Sequence, residues 1–172
     1  MSIISVARDA IFAVGLMDSA AKKVLPEDIA KLVNRHAKIA VASAWIPIGG
    51  LDIAAATANV WTMYFKINKM LGLQFSKNAM KSIASAVLSN LVQNIVFSGV
   101  MAGLKYVPGV GYVAAASVMS ATLYALTQTS GWIYLKALTL MARNDKNIDD
   151  SVKEVMKDKK SIDEFIKNNK KK

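Results

Sequence analysis

The amino-acid sequence predicts an all-α protein of two helical hairpins with Pro-Gly tips, inserted in a membrane, with an amphipathic helix ahead of them and a short helix near the C-terminus. Three observations lead there: long uncharged windows, basic residues segregated to one side, and a repeated Pro-Gly turn. Of 172 residues 53% are apolar and 20% charged, yet the net charge is +10. Between Lys38 and Lys136 only Asp52, Lys66, Lys69, Lys77, Lys81 and Lys105 carry charge. Residues 82–104 and 106–135 are therefore uncharged runs of 23 and 30, where about 20 suffice to cross a bilayer as helix. A helix of that length facing water would normally carry charge on its outer side. A tightly packed soluble bundle is the competing reading, kept open by Ser85, Ser89, Asn90, Gln93 and Asn94.

The turn Ile46-Pro47-Ile48-Gly49-Gly50-Leu51 resembles Val107-Pro108-Gly109-Val110-Gly111-Tyr112, and both lead into alanine-rich helix at an offset of 61 residues. Proline removes a backbone donor and glycine permits positive φ, so each copy closes a tight turn with little bulk. Pro47, Gly49, Gly50 and Asp52 then form one hairpin tip, and Pro108, Gly109 and Gly111 the other. With the turns as tips, 21 of the 22 Lys and Arg residues fall on the opposite side and Lys105 alone on the tip side. That is the positive-inside pattern, with both termini cytoplasmic. The arms of the first hairpin are short: eight uncharged residues at 39–46 and 13 at 53–65. A shallow or water-lined hairpin beside a fully inserted second one is expected.

Element by element, apolar residues spaced three and four apart predict an amphipathic helix over 3–25. Pro26, Glu27 and Asp28 open the next helix, with acids at the positive end of its dipole. It ends at Trp45-Ile46. A further helix runs from about Leu51 towards Leu71, stopped by Gly72. Ser76 and Lys77 open a third long helix to about Leu104, and a fourth follows residues 108–111 to about Ala142. These give a membrane domain over 26–142, with repeats at about 27–72 and 75–142. From Arg143 the composition becomes a solvated basic tail, where Ser161-Ile-Asp-Glu164 matches a capping box for one short helix.

Candidate functional residues are few. Asp52 reads first as a cap on free amides of the new helix, and less readily as the acid of an ion path. Asn59, Asn90, Gln93 and Asn94 supply interhelical hydrogen bonds or line a wet pore. Gly99 and Gly103 form a GxxxG for close helix approach. Lys66, Lys69, Lys77, Lys81, Lys170, Lys171 and Lys172 suit anionic lipid headgroups. The single histidine, His36, is expected on an exposed helix face between Arg35 and Lys38, without a second ligand or orienting acid. No catalytic motif, metal set or cofactor site is recognised, and the absence of cysteine excludes disulfides. The basic tail lacks interleaved aromatics, so nucleic acid is not expected as a partner.

The order Trp45-Ile-Pro-Ile-Gly-Gly-Leu-Asp52, Trp61-Thr-Met63-Tyr64, Lys105-Tyr-Val-Pro-Gly-Val-Gly111, then alanine-rich helix with Thr122, Tyr124 and Ala125, resembles the bacterial GTPase-associated membrane proteins of unknown function (YcjF-like), over about residues 30–140. The resemblance implies a membrane-embedded helical domain that accompanies an Era-like GTPase. This chain has no GxxxxGK[ST] loop, so the GTPase would be a separate partner. The functional expectation is a non-enzymatic membrane anchor or scaffold that self-assembles as a homo-oligomer. A pore or channel is the alternative, and a soluble helical binding module the second alternative.

Overall fold

The computed structural model describes residues 2–17, 19–45, 51–93 and 112–169, with the side chains at 51–53, 112–115 and 169 left out. The described residues are helical throughout, without strands. We number the helices α1 (Ile3–Gly15), α2 (Pro26–Ser43), α3 (Leu51–Leu71), α4 (Lys77–Leu91), α5 (Tyr112–Asn144), α6 (Ile148–Lys157) and α7 (Lys159–Asn169), with one 3-10 turn at Ala21–Lys23. The boundaries follow local chemistry. Ser2 and Ser5 cap α1 reciprocally, Pro26 occupies the first turn of α2, and the Ser76 hydroxyl accepts from the Ala79 amide. Gly72 ends α3 at φ 74, and Asp145 ends α5 at φ 50, both in the left-handed region.

The centre is α5, about 50 Å long at 1.5 Å per residue. From Thr122 to Thr139 nearly every side chain is buried, and α1, α2, α3, α4, α6 and α7 all pack on it. This explains the long uncharged window differently from membrane insertion: a helix apolar all round needs no outer face when other helices cover it. Directions follow from the pairs. Asn34 meets Gln128 and Val41 meets Ser120, so α2 is antiparallel to α5. Tyr64 meets Ser130 and Asn68 meets Tyr134, so α3 is parallel to it. Gly131 allows the close approach, since a Cβ there would lie 2.9 Å from Val33 Cγ1 and 3.4 Å from Met63 Cε.

The structure corrects several expectations. The N-terminal helix stops at Gly15 instead of continuing to 25, and the chain turns through Ala21–Lys23 before α2. The tail is not simply solvated. It forms two helices, α6 and α7, whose Ile148, Val152, Val155, Ile162 and Phe165 are buried, with Phe165 stacked on Trp132 at 5.2 Å. Ser161 does not cap the last helix. Asp158 does, its Oδ1 accepting from the Ser161 amide at 3.1 Å, and α7 starts at Lys159. Among the described residues, no helix is long and apolar enough to cross a membrane. In α5 the polar run Thr127–Ser130 interrupts the apolar stretch.

Candidate functional site

The helix directions bring four helix ends together: the C-termini of α2 and α4 and the N-termini of α3 and α5. Past Lys38, Lys66, Lys81 and Lys136 on these helices, Asp52 is the one charged residue in the described segments. Exposed side chains there are mostly small or apolar, with Ser85, Ser89, Gln93 and Ser117 as uncharged polar ones. Ile39 is 47% exposed and Trp45 45%, joined by exposed Ala42, Ala54, Ala55, Ala58, Ala86 and Ala121. The other three helices leave this end bare. Ile3 and Ile4 of α1 share a 490 Å³ cavity with Asn34 and Gln128, while Phe12 and Leu16 reach Pro26, so α1 lies along the first half of α2. The α6–α7 pair is tied to the last turns of α5 through Trp132–Phe165 and Lys136–Asp158 at 3.4 Å. The result is a four-helix stalk whose described residues include a single charged one, Asp52, rising from a seven-helix base that carries the other charges.

At the neck between stalk and base lies a polar layer. His36 is 2% exposed, not on an open face as its flanking cations suggest. Its Nδ1 sits 2.7 Å from Asn59 Oδ1, and Asn59 Nδ2 donates to the His36 carbonyl at 2.8 Å. An amide oxygen only accepts, so Nδ1 carries the proton and Nε2 is left as acceptor, with Lys66 Nζ at 3.3 Å. Burial holds the His36 pKa below its ordinary 6.5, and Lys66 and Arg35 push the same way against the Asn59 hydrogen bond. Deeper in the base, Tyr64 and Tyr134 stack at 4.0 Å. Tyr64 donates to the Ser130 carbonyl at 3.0 Å, Tyr134 to Asn68 Oδ1 at 2.7 Å, and Asn68 Nδ2 faces Met80 Sδ at 3.0 Å. Gln128 bridges Asn34 and Tyr124. Every one of these contacts joins helices or turns of the bundle; none presents a nucleophile with a base to open space. Among the described residues no group of His, Cys, Asp and Glu is placed to hold a metal ion.

The residues singled out from sequence divide accordingly. Asp52 falls inside the first turn of α3, one residue past its start, where an acid suits the dipole. Asn59 is brought to His36. Asn90 is half-buried on α4, and Gln93 is exposed just beyond it. Lys69 and Lys77 lie exposed on the charged side; Lys81 sits over the Trp61 ring at 5.0 Å, and Lys66 reaches His36. Pro47, Gly49, Gly50, Asn94, Gly99, Gly103, Pro108, Gly109, Gly111 and Lys170 to Lys172 lie outside the described residues. Sequence reasoning missed the inward turn of His36. The available signal was its place in the apolar series Ile29, Val33, Ala37 and Ala40, all buried. Comparison with protein-family models, curated proteins and solved structures finds no match to this chain.

Proposed function

We propose that the protein is a membrane anchor or scaffold whose stalk, with Asp52 its one charged residue among those described, enters the bilayer while the basic base stays at the headgroups. The observation that carries this reading is the bare stalk. Exposed helix surface in water ordinarily carries charge, and here four adjacent helix ends hold only Asp52 among their described residues over the same length. Up to Lys66, α3 offers 15 residues, about 22 Å, against about 30 Å of hydrocarbon. The described stalk is therefore deep enough to occupy most of the apolar layer without crossing it. Lys66, Lys69, Lys77 and Lys81 ring its lower end, at the level where headgroup phosphates would lie. Two hairpins inserted tip-first would place both apolar Pro-Gly segments in lipid, and self-assembly through them would make a scaffold for a separate GTPase.

Trp45 supplies the test. In vesicles of brominated phosphatidylcholine and phosphatidylglycerol, Trp45 fluorescence should be quenched, and in a Trp61→Phe background Trp45→Phe should remove most of the quenching because the remaining Trp132 is buried in the base. Unquenched fluorescence together with failure to sediment with the vesicles would overturn the reading. The burial of α5 from Thr122 to Thr139 favours a second one, a helical module that binds protein and never meets lipid, and that same negative result is what it requires.

A further inference from the structure

We infer that His36 is a proton-operated latch: in its neutral form it holds α2 against α3 at the neck, and its protonation releases the two stalk helices for insertion. This rests on the reading of the stalk as the lipid-entering end. The geometry is specific to one protonation state. Asn59 reads α2 twice, accepting from Nδ1 and donating to the His36 carbonyl, so α2 and α3 are clamped at two points. Nε2 is committed as an acceptor toward Lys66 Nζ at 3.3 Å. A proton on Nε2 leaves the Asn59 bonds in place but turns the Lys66 contact into two positive donors facing each other, on a ring that is itself only 2% exposed while Lys66 reaches water.

The surroundings supply no relief. The charges acting on the ring are Lys66, from α3, and Arg35, from α2 itself, both positive. The other helices packed on α2 bring Arg8 and Asp9 from α1, and Lys136 and Arg143 from α5, none of which acts on the ring. Lys66 can swing into water, but the imidazolium left behind is buried with no acceptor on Nε2 and no carboxylate acting on it, and separating the helices returns the ring to water. The separation lies at the foot of the stalk, so it loosens α2 and α3 together and presents their inner apolar residues, Val60 and Met63 among them, to whatever the stalk touches. In a protein with one histidine and no cysteine, no other side chain titrates ordinarily between pH 5 and 8.

The sign follows directly. The closed state binds the proton more weakly than the open state, whose ring titrates near 6.5, so opening is favoured as pH falls below that value. Between pH 7.5 and 5.5 the opening equilibrium should rise, by at most about tenfold. Hydrogen exchange of the α2 and α3 amides in the full-length protein without lipid, corrected for intrinsic rates, reads that ratio. His36→Gln should flatten it. Asn59→Asp keeps an acceptor against Nδ1 but adds a negative charge, so acid should then tighten the pair, and this variant tests the latch even if His36→Gln fails to fold. A profile flat in pH for the wild type, a slope surviving in His36→Gln, or an unchanged slope in Asn59→Asp overturns the latch. Trp45 quenching by brominated phosphatidylglycerol vesicles at both pH values is read in parallel and should increase at pH 5.5. An intact exchange slope without quenching at either pH overturns the membrane reading, and with it the insertion half of the proposal, while the solution latch is judged by exchange alone.

Discussion

Gly131 and Tyr134 show how little freedom single residues have in the base. A methyl at position 131 would meet Val33 at 2.9 Å, closer than real Cβ contacts allow, and Val33 is itself fully buried. Gly131→Ala should therefore destabilise by about 1–3 kcal/mol despite the better helix propensity of alanine, measured by urea unfolding. Tyr134→Phe keeps the stacked ring against Tyr64 but leaves Asn68 Oδ1 buried without its donor. The expected cost is about 1–3 kcal/mol, where loss of the ring contact alone would predict none. His36 carries the pH dependence. Because its folded pKa is lowered, the unfolded chain binds the extra proton, so the melting temperature should fall as pH drops below about 6.5 and level off once the folded histidine also titrates. The same scan on His36→Gln should show no such step. The single histidine was visible in the sequence; its burial was not, because the two flanking cations, Arg35 and Lys38, sit on a face that the local pattern does not separate from its own.

At the scale of elements, the informative pair is α6–α7. Their residues read as a charged tail because lysine and aspartate dominate, and a composition count conceals five apolar positions at helical spacing. Those positions dock on the end of α5, with Asn147 capping α6 through the Asp150 amide at 2.8 Å. Phe165 stacks on Trp132 and is 2% exposed, so Phe165→Ala should cost about 3–5 kcal/mol and free the tail for protease attack ahead of the rest, seen by limited trypsinolysis. A solvated tail would predict no change in stability. The bounds of α3 and the start of α4 were legible from Gly72 and Ser76, since left-handed glycine and a serine N-cap are local signals. The stop of α1 at Gly15 was not, because the apolar spacing continues past it and only packing against Lys22 and Ala21 shows the chain turning back.

For the whole molecule, the decisive quantity is the distribution of charge along the bundle axis. If the stalk enters lipid and the base rests on headgroups, binding to vesicles should strengthen with the fraction of phosphatidylglycerol and weaken as salt rises from 0.05 to 0.5 M, reported as the lipid concentration for half-sedimentation. Trp45 quenching at saturating lipid should stay constant over that salt range, because depth is set by the apolar stalk and only affinity by the lysines. A quenching signal that disappears with salt would place the protein on the surface.

The sequence by itself determined the helical class, the uncharged character of the middle of the chain and the sidedness of its basic residues, because periodicity and charge order are properties of the chain read locally. Only the tertiary structure decided that the longest uncharged helix is sheathed by its neighbours, that the tail joins the core, and that His36 faces inward onto Asn59 and Lys66. Those depend on which faces meet. An apolar helix satisfies the same pattern whether its cover is lipid or six other helices, and contacts between residues far apart in the chain, absent from any local window, choose between them.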